Sequence, residues 1–176
     1  MLTQELKETE LQKLPKLSDQ EKPECKISVE AISKVAQEIA SLSIRNYEET
    51  GIDPNIGYHP NWDQYLEYEL TDNVRVITAR YNNILVGYAI YLIGPFKHNK
   101  EVMYADLDTI YINEVFRSPF LAIKMFKAGE EAVKDKAQYI MATSTNRKPI
   151  DKLLGYMKYK PVETIFWKKI EANNGK

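Results

Sequence analysis

The stretch Asp108-Thr-Ile-Tyr-Ile-Asn-Glu-Val-Phe-Arg117-Ser-Pro-Phe-Leu-Ala122 holds a strand end, a turn and a helix start within fifteen residues. Its first part, Asp108 to Ile112, is rich in β-branched and aromatic side chains and reads as the end of a strand that begins near Met103. Alternation along that strand predicts that Asp108 shares a face with Ile110 and Ile112. Ser118 is a good N-cap, and Pro119 at the first helical position gives up only an N–H that has no intrahelical partner. The predicted helix runs to about Lys136, with Leu121, Met125, Ala128 and Ala132 inward. A helix start directly after a strand end presents unpaired amides and a positive dipole end, which suits an anion such as a pyrophosphate. Arg117, Ser118, Phe120, Leu121 and Ala122 are the residues placed at that end.

Upstream, apolar residues at Ile32, Val35, Ala36, Ile39 and Ala40 recur at helical steps, predicting a helix from Ser28 to about Tyr47 that Gly51 stops. A shorter helix is expected from Asn61 to Leu70. The period then changes: Val74 to Ala79 alternates, Tyr81-Asn82-Asn83 turns, and Ile84 to Ile93 runs apolar, which reads as a hairpin. Gly94-Pro95 is expected to close its second strand, and Lys97 to Glu101 to form a loop. Downstream lie a short strand from Gln138 to Thr143, a short helix from Pro149 to Met157 and a final strand from Thr164 to Ile170. Helices mixed with mainly hairpin-joined strands define an α+β domain over residues 26–176. Residues 1–25 form a charged N-terminal extension with leucines at Leu2, Leu6, Leu11, Leu14 and Leu17, expected to be mobile and available to a protein partner or a second copy.

Several motifs occur in the order found in one superfamily. The turn Arg117-Ser-Pro-Phe-Leu-Ala122 resembles the coenzyme A site of GNAT acetyltransferases, Arg/Gln-x-x-Gly-x-Gly/Ala, with Phe120 standing where the first glycine does. Ile112 matches the apolar residue five before the arginine. Tyr47-Glu48-Glu49, Gly87-Tyr88, His98 and Asp108 resemble phage-encoded members in particular. So does the ending Leu153-Leu154, Lys158-Tyr159, Lys160-Pro161, Glu163, Phe166 and Lys168, in which Lys158 replaces a glycine. The resemblance implies a GNAT fold: a central, mostly antiparallel mixed sheet flanked by helices. It also implies acetyl-coenzyme A as co-substrate, laid along Ile110 and Ile112 and against the Arg117–Ala122 turn, with Asn146 added to that set. Asp108 becomes the candidate base, with Glu49 the second. Tyr156 is the candidate acid, although the family's tyrosine position is Leu154 and Tyr156 lies about 200° further round the helix.

The acceptor side has its own signal. Between Glu48 and Asp72 stand seven carboxylates and no Lys or Arg, interleaved with Tyr58, Trp62, Tyr65 and Tyr68. Carboxylates beside aromatic faces suit a cation, so Glu48, Glu49, Tyr58, Trp62 and Tyr65 are the candidate contacts for a small cationic amine or a peptide amine. The bland alternative is a solvated acidic face.

Composition narrows the classes further. A formal net charge of -1 offers no basic surplus, so nucleic acid is not an expected partner. Cys25 is the only cysteine, and His59 and His98 are far apart, so no metal-ligand spacing exists. The cytoplasm is the expected location, that of the host if the protein is phage-encoded, since the N-terminus lacks a signal-peptide core and no stretch is apolar enough to span a bilayer. Gly-x-Gly-x-x-Gly, P-loop, Gly-x-Ser-x-Gly and His-Glu-x-x-His motifs are absent. Two functions fit: an active N-acetyltransferase, or a GNAT-fold binding protein that has lost transfer through Pro119, Phe120 and Leu154.

Overall fold

A computed structural model describes residues 24–51, 53 and 55–170. Its elements are β1 (Lys26–Glu30), α1 (Ile32–Thr50), α2 (Trp62–Leu70), β2 (Val74–Tyr81), β3 (Ile84–Phe96), β4 (Asn99–Ile112), α3 (Pro119–Val133), β5 (Tyr139–Ala142) and α4 (Asp151–Tyr156). The strands form one sheet in the order β1-β2-β3-β4-β5. All neighbours are antiparallel except β4 and β5, which run parallel. The mostly antiparallel mixed sheet expected from the sequence is the one observed.

A core lies on each face of the sheet. On one, α1 buries Ile32, Val35, Ile39 and Leu42 against Val76, Tyr88 and Ile90, with Trp62 and Tyr65 of α2 at the border. On the other, Leu121, Met125, Phe126 and Val133 of α3 cover Ala89, Tyr91, Ala105 and Leu107. The approach of α3 to β3 depends on Gly129, where an added Cβ would stand 2.3 Å from the Tyr91 ring. Local sequence sets the ends of these elements. Asn61 caps α2 by accepting from the Gln64 amide, and Ser118 caps α3 by accepting from the Leu121 amide. The Asn82-Asn83 turn has φ of 48° and 65°, the left-handed pair that a two-residue hairpin requires and that asparagine tolerates.

Four expectations are corrected. Residues from Ser28 to Glu30 belong to an edge strand, not to α1: Ser28 faces Thr78 in register, and the helix begins at Ile32. The strand β3 continues through Gly94-Pro95 to Phe96 and β4 starts at Asn99, which shrinks the expected loop to a tight turn. Thr164 to Ile170 is not a strand in this chain but irregular and exposed. Cys25, placed in the extension, is buried in the core beside α3, while the rest of that extension, to residue 23, lies outside the described residues.

Candidate active site

A cleft of about 1520 Å³ opens where β4 parts from β5, between the α1–α2 side of the sheet and the start of α3. β5 pairs with β4 only from Tyr104 to Leu107. Beyond that, Asp108 to Ile112 have no strand on this side among the described residues, and the Ile112 carbonyl accepts from Arg117 instead.

The parting coincides with a bulge. Leu107 stands opposite Tyr91 and Thr109 opposite Ile90, which leaves Asp108 as an extra residue on β4. A bulge re-aims the side chains around it. Before it Ala105 and Leu107 enter the α3-side core; after it Ile110 and Ile112 do. Asp108 and Thr109 therefore both reach the other side, where the Tyr65 hydroxyl donates to the Asp108 carboxylate at 2.7 Å and the Asn46 amide donates to the Thr109 hydroxyl at 2.7 Å. The expectation that Asp108 shares a face with Ile110 and Ile112 fails for this reason. All three still line the cleft, on opposite walls of one strand edge.

Asp108 is open to solvent within the cleft yet surrounded by protein on most sides. That burial raises its carboxyl above the ordinary value, against the lowering effect of the Tyr65 bond. Asp106, two residues earlier, is raised as well, by burial first and then by the charge of Asp108. Tyr58, Trp62 and Tyr65 form the aromatic wall, with the Trp62 and Tyr65 rings 5.7 Å apart. Burial raises the hydroxyls of Tyr58 and Tyr65, and the Asp108 charge adds to both.

The α3 side is bound up more tightly. Arg117 donates to Glu49 at 3.0 Å and to the Ile112 carbonyl at 2.9 Å, and its guanidinium lies 5.6 Å from the Tyr111 ring centre. Lys148 completes the cluster at 3.0 Å from Glu49. Burial works to raise the Glu49 carboxyl, but the bonds and charges of Arg117 and Lys148 outweigh it and hold the group below its usual value. In the first turn of α3, Pro119 has no N–H, the Leu121 amide is taken by the Ser118 hydroxyl, and the Ala122 amide by the Ser118 carbonyl. The Phe120 amide is left without an intrahelical acceptor.

Of the residues singled out in the sequence, the cleft gathers Asp108, Glu49, Tyr156, Ile110, Ile112, Arg117, Ser118, Ala122, Tyr58, Trp62 and Tyr65 in its wall. Four lie elsewhere. The Phe120 ring is 67 % exposed and covers the Lys124 ammonium at 4.5 Å, so it does not obstruct the cleft. Leu121 is buried in the core. Asn146 is exposed outside the cleft lining. Glu48 lines a smaller hollow of about 410 Å³ with Arg45 and Glu114. Sequence reasoning missed Asn46, Thr109 and Lys148. Asn46 had a visible signal, since it follows Leu42 by one helical step on the stripe that is otherwise apolar.

No protein-family profile matches the chain, and no curated protein matches it in sequence. Solved structures do match in shape. A predicted acetyltransferase with acetyl-CoA from Clostridium acetobutylicum superimposes with a TM-score of 0.64 at 14% identity, over 84% of this chain and 96% of that one. The ribosomal-protein-alanine N-acetyltransferase from Brucella melitensis biovar Abortus 2308 gives 0.61 at 15% identity, over 82% and 99%. The aminoglycoside acetyltransferase AAC(6')-Iy, in complex with a bisubstrate analog of CoA, gives 0.61 at 13% identity, over 84% and 99%. The chain has the GNAT acetyltransferase fold.

Proposed function

We propose that this protein is an N-acetyltransferase that transfers an acetyl group from acetyl-coenzyme A to a cationic amine. One observation carries the reading: a single cleft holds an open strand edge, a helix start and a carboxyl raised by its surroundings. The residues suit the co-substrate. The β4 edge from Asp108 to Ile112, uncovered by a strand and with its Ile112 carbonyl held by Arg117, offers its remaining backbone groups to an extended, amide-bearing chain, between the apolar side chains of Ile110, Ile112 and Ala122. Arg117, Ser118 and the Phe120 amide form the positive end for its phosphates. Acetyl-coenzyme A, when bound, supplies the thioester whose acyl carbon the amine attacks.

The chain's own residues then divide the work. The aromatic faces of Tyr58, Trp62 and Tyr65 receive a small cationic amine or a peptide amine. An ammonium cannot attack, so a proton must leave first, and Asp108 takes that role because its raised carboxyl is a better proton acceptor than a free one. Glu49 is a weaker candidate, being held in its ionised form by two cations. Tyr156, exposed on the opposite wall, is the candidate to return a proton to the leaving sulfur. The likeness to phage-encoded acetyltransferases, and with it a place in a host cytoplasm, rests on motif order alone.

The loss of first-turn amides at Pro119 and Leu121 favours a second reading, a GNAT-fold binding protein without transfer. Calorimetric titration with acetyl-coenzyme A followed by an acetylation screen of amines separates the two. The enzyme reading expects saturable binding and turnover with polyamines, lysine-like amines or peptide N-termini ahead of neutral amines. Binding without turnover on any amine supports the second reading, and a preference for anionic acceptors overturns the assignment of the acidic, aromatic side.

A further inference from the structure

Glu49 stands at the boundary of two hollows. On one side it lines the large cleft together with Arg117 and Lys148. On the other it lines the smaller hollow with Ser41, Arg45, Glu48, Tyr111 and Glu114. Both of its carboxylate oxygens accept from the Arg117 guanidinium at 3.0 Å, and one lies 3.0 Å from the Lys148 ammonium. A guanidinium and an ammonium donate to any anionic oxygen, so Glu49 makes the contacts that a phosphate would make. The cations at the candidate site for the coenzyme A phosphates are therefore already engaged by an anion of this chain.

Neither cation depends on Glu49 alone for its place. Arg117 also donates to the Ile112 carbonyl at 3.2 and 2.9 Å and lies against the Tyr111 ring. The loop that carries Lys148 is tied to the end of α1 a second time, where Arg147 donates to the Gly51 carbonyl at 3.0 Å. Glu49, for its part, has another cation close by on its own helix. Arg45 stands four residues earlier, one turn back on the same face, and borders the smaller hollow with it. Glu48 and Glu114 in that hollow oppose such a move, and Arg45 favours it. The present ion pairs are partly exposed, where water and salt weaken them. A pyrophosphate, carrying more charge than one carboxylate, is equipped to displace Glu49.

We propose that Glu49 is a built-in competitor for the coenzyme A phosphates, holding Arg117 and Lys148 before coenzyme A loads and turning to Arg45 as it does. This role rests on the acetyltransferase reading above, since it takes coenzyme A as the ligand. It makes Glu49 a residue that limits co-substrate affinity. The same knot that steadies α1, β4 and the loop after β5 is then opened at every loading.

Calorimetric titration of the full chain with coenzyme A tests the role. Glu49→Gln is expected to bind at least about five-fold tighter, the lower end of ordinary coupling between sites, while losing stability. A merely structural Glu49 would lose affinity along with stability. Arg45→Gln, outside the lining of the large cleft, is expected to weaken binding in the natural chain and to have no effect beside Glu49→Gln, a double-mutant cycle that isolates the exchange. Should Glu49→Gln not fold, Arg45→Gln decides alone: weaker binding supports the exchange and unchanged binding overturns it. Glu101→Gln and Lys100→Gln make the same changes of charge at the exposed start of β4 and should leave affinity nearly unchanged; shifts as large as those at Glu49 and Arg45 overturn the proposal in favour of net charge. Equal or weaker binding by Glu49→Gln, with coenzyme A still saturating the natural chain, overturns the competitor role and leaves the acetyltransferase reading standing. Binding by neither chain overturns both.

Discussion

The two walls of the cleft are built on different electrostatic plans. On the α1–α2 wall the acidic group, Asp108, has the Tyr65 hydroxyl as its hydrogen-bond donor and no cation among the described residues, and its carboxyl is raised. On the α3 wall the acidic group, Glu49, is clamped by Arg117 and Lys148 and its carboxyl is lowered. Both carboxylates stand within one cavity, so the cavity alone does not decide their roles. Partners do: a carboxylate without a cation keeps its affinity for a proton, whereas one between two cations surrenders it. The first wall is suited to proton transfer. The second is a structural knot joining the end of α1, the end of β4 and the loop after β5, and a ligand phosphate would have to share its cations with Glu49.

The strongest way to break this contrast is at Arg117. Arg117→Glu removes one of the two cations that hold Glu49 and puts a carboxylate beside it, so coenzyme A binding measured by calorimetry should be abolished. Unchanged affinity would place the phosphates away from α3. The next effect is at Asp108, where Asp108→Asn keeps the shape and removes the proposed base. Turnover at neutral pH should fall by roughly a hundredfold or more, with coenzyme A affinity within a few-fold and partial recovery at high pH as free amine accumulates.

The same variant tests the sign of the linkage. A carboxyl whose folded-state value is raised contributes stability below its unfolded value and loses that contribution as pH climbs through the folded one. An ionised Asp108 is therefore a burden on the fold, and Asp108→Asn should melt no lower at neutral pH than the natural chain. A clear drop in melting temperature, with turnover unchanged, would make Asp108 a structural residue. Glu49 predicts the reverse: its lowered carboxyl adds stability that is present above the unfolded value and lost as pH falls through the folded one, so Glu49→Gln should cost stability at neutral pH and little in strong acid.

A smaller effect sharpens the α1–α2 wall. Tyr65→Phe removes the bond that opposes the raising of Asp108, so the acid limb of the pH–rate profile should move to higher pH with a change of only a few-fold at its maximum. An unmoved profile would detach Tyr65 from the base. The smallest effect is expected at Phe120. Because its ring stands outside the cleft on Lys124, Phe120→Gly should leave coenzyme A affinity nearly unchanged and cost about 1 kcal/mol through helix propensity, seen as a lower denaturation midpoint. A large gain in affinity would show that the ring enters the cleft in solution.

Much of the architecture was legible before any coordinates. The Ser118-Pro119 start of α3, the Asn82-Asn83 hairpin and the apolar stripe of α1 are local signals, set by caps, turn geometry and period, and each appears where the sequence puts it. The candidate site was legible in part: the sequence singles out Asp108, Arg117 and the aromatic residues that line the cleft, but not Lys148, because a lysine in a loop after β5 has no periodicity and meets Glu49 only through the fold. The misses share a cause. Ser28 to Glu30 reads as helix because Ile32 and Val35 follow at helical steps, and only the open edge of β2 recruits these residues as a strand. Thr164 to Ile170 reads as a strand because of its β-branched and aromatic residues, yet it pairs with no strand among the described residues, and pairing is a tertiary relation that composition does not fix.

The sequence by itself determined most of the helical and extended segments, the position of the turn before α3, and the acidic, aromatic character of one cleft wall. These follow from side-chain chemistry acting over a few residues. Only the tertiary structure decided that Asp108 leaves the face of Ile110 and Ile112, that Phe120 turns to solvent, and that Glu49 is tied between Arg117 and Lys148. The bulge that moves Asp108 exists in the register between β3 and β4, a relation between residues 90–91 and 107–109. Strand alternation is a local rule, and a single extra residue opposite a neighbouring strand resets it.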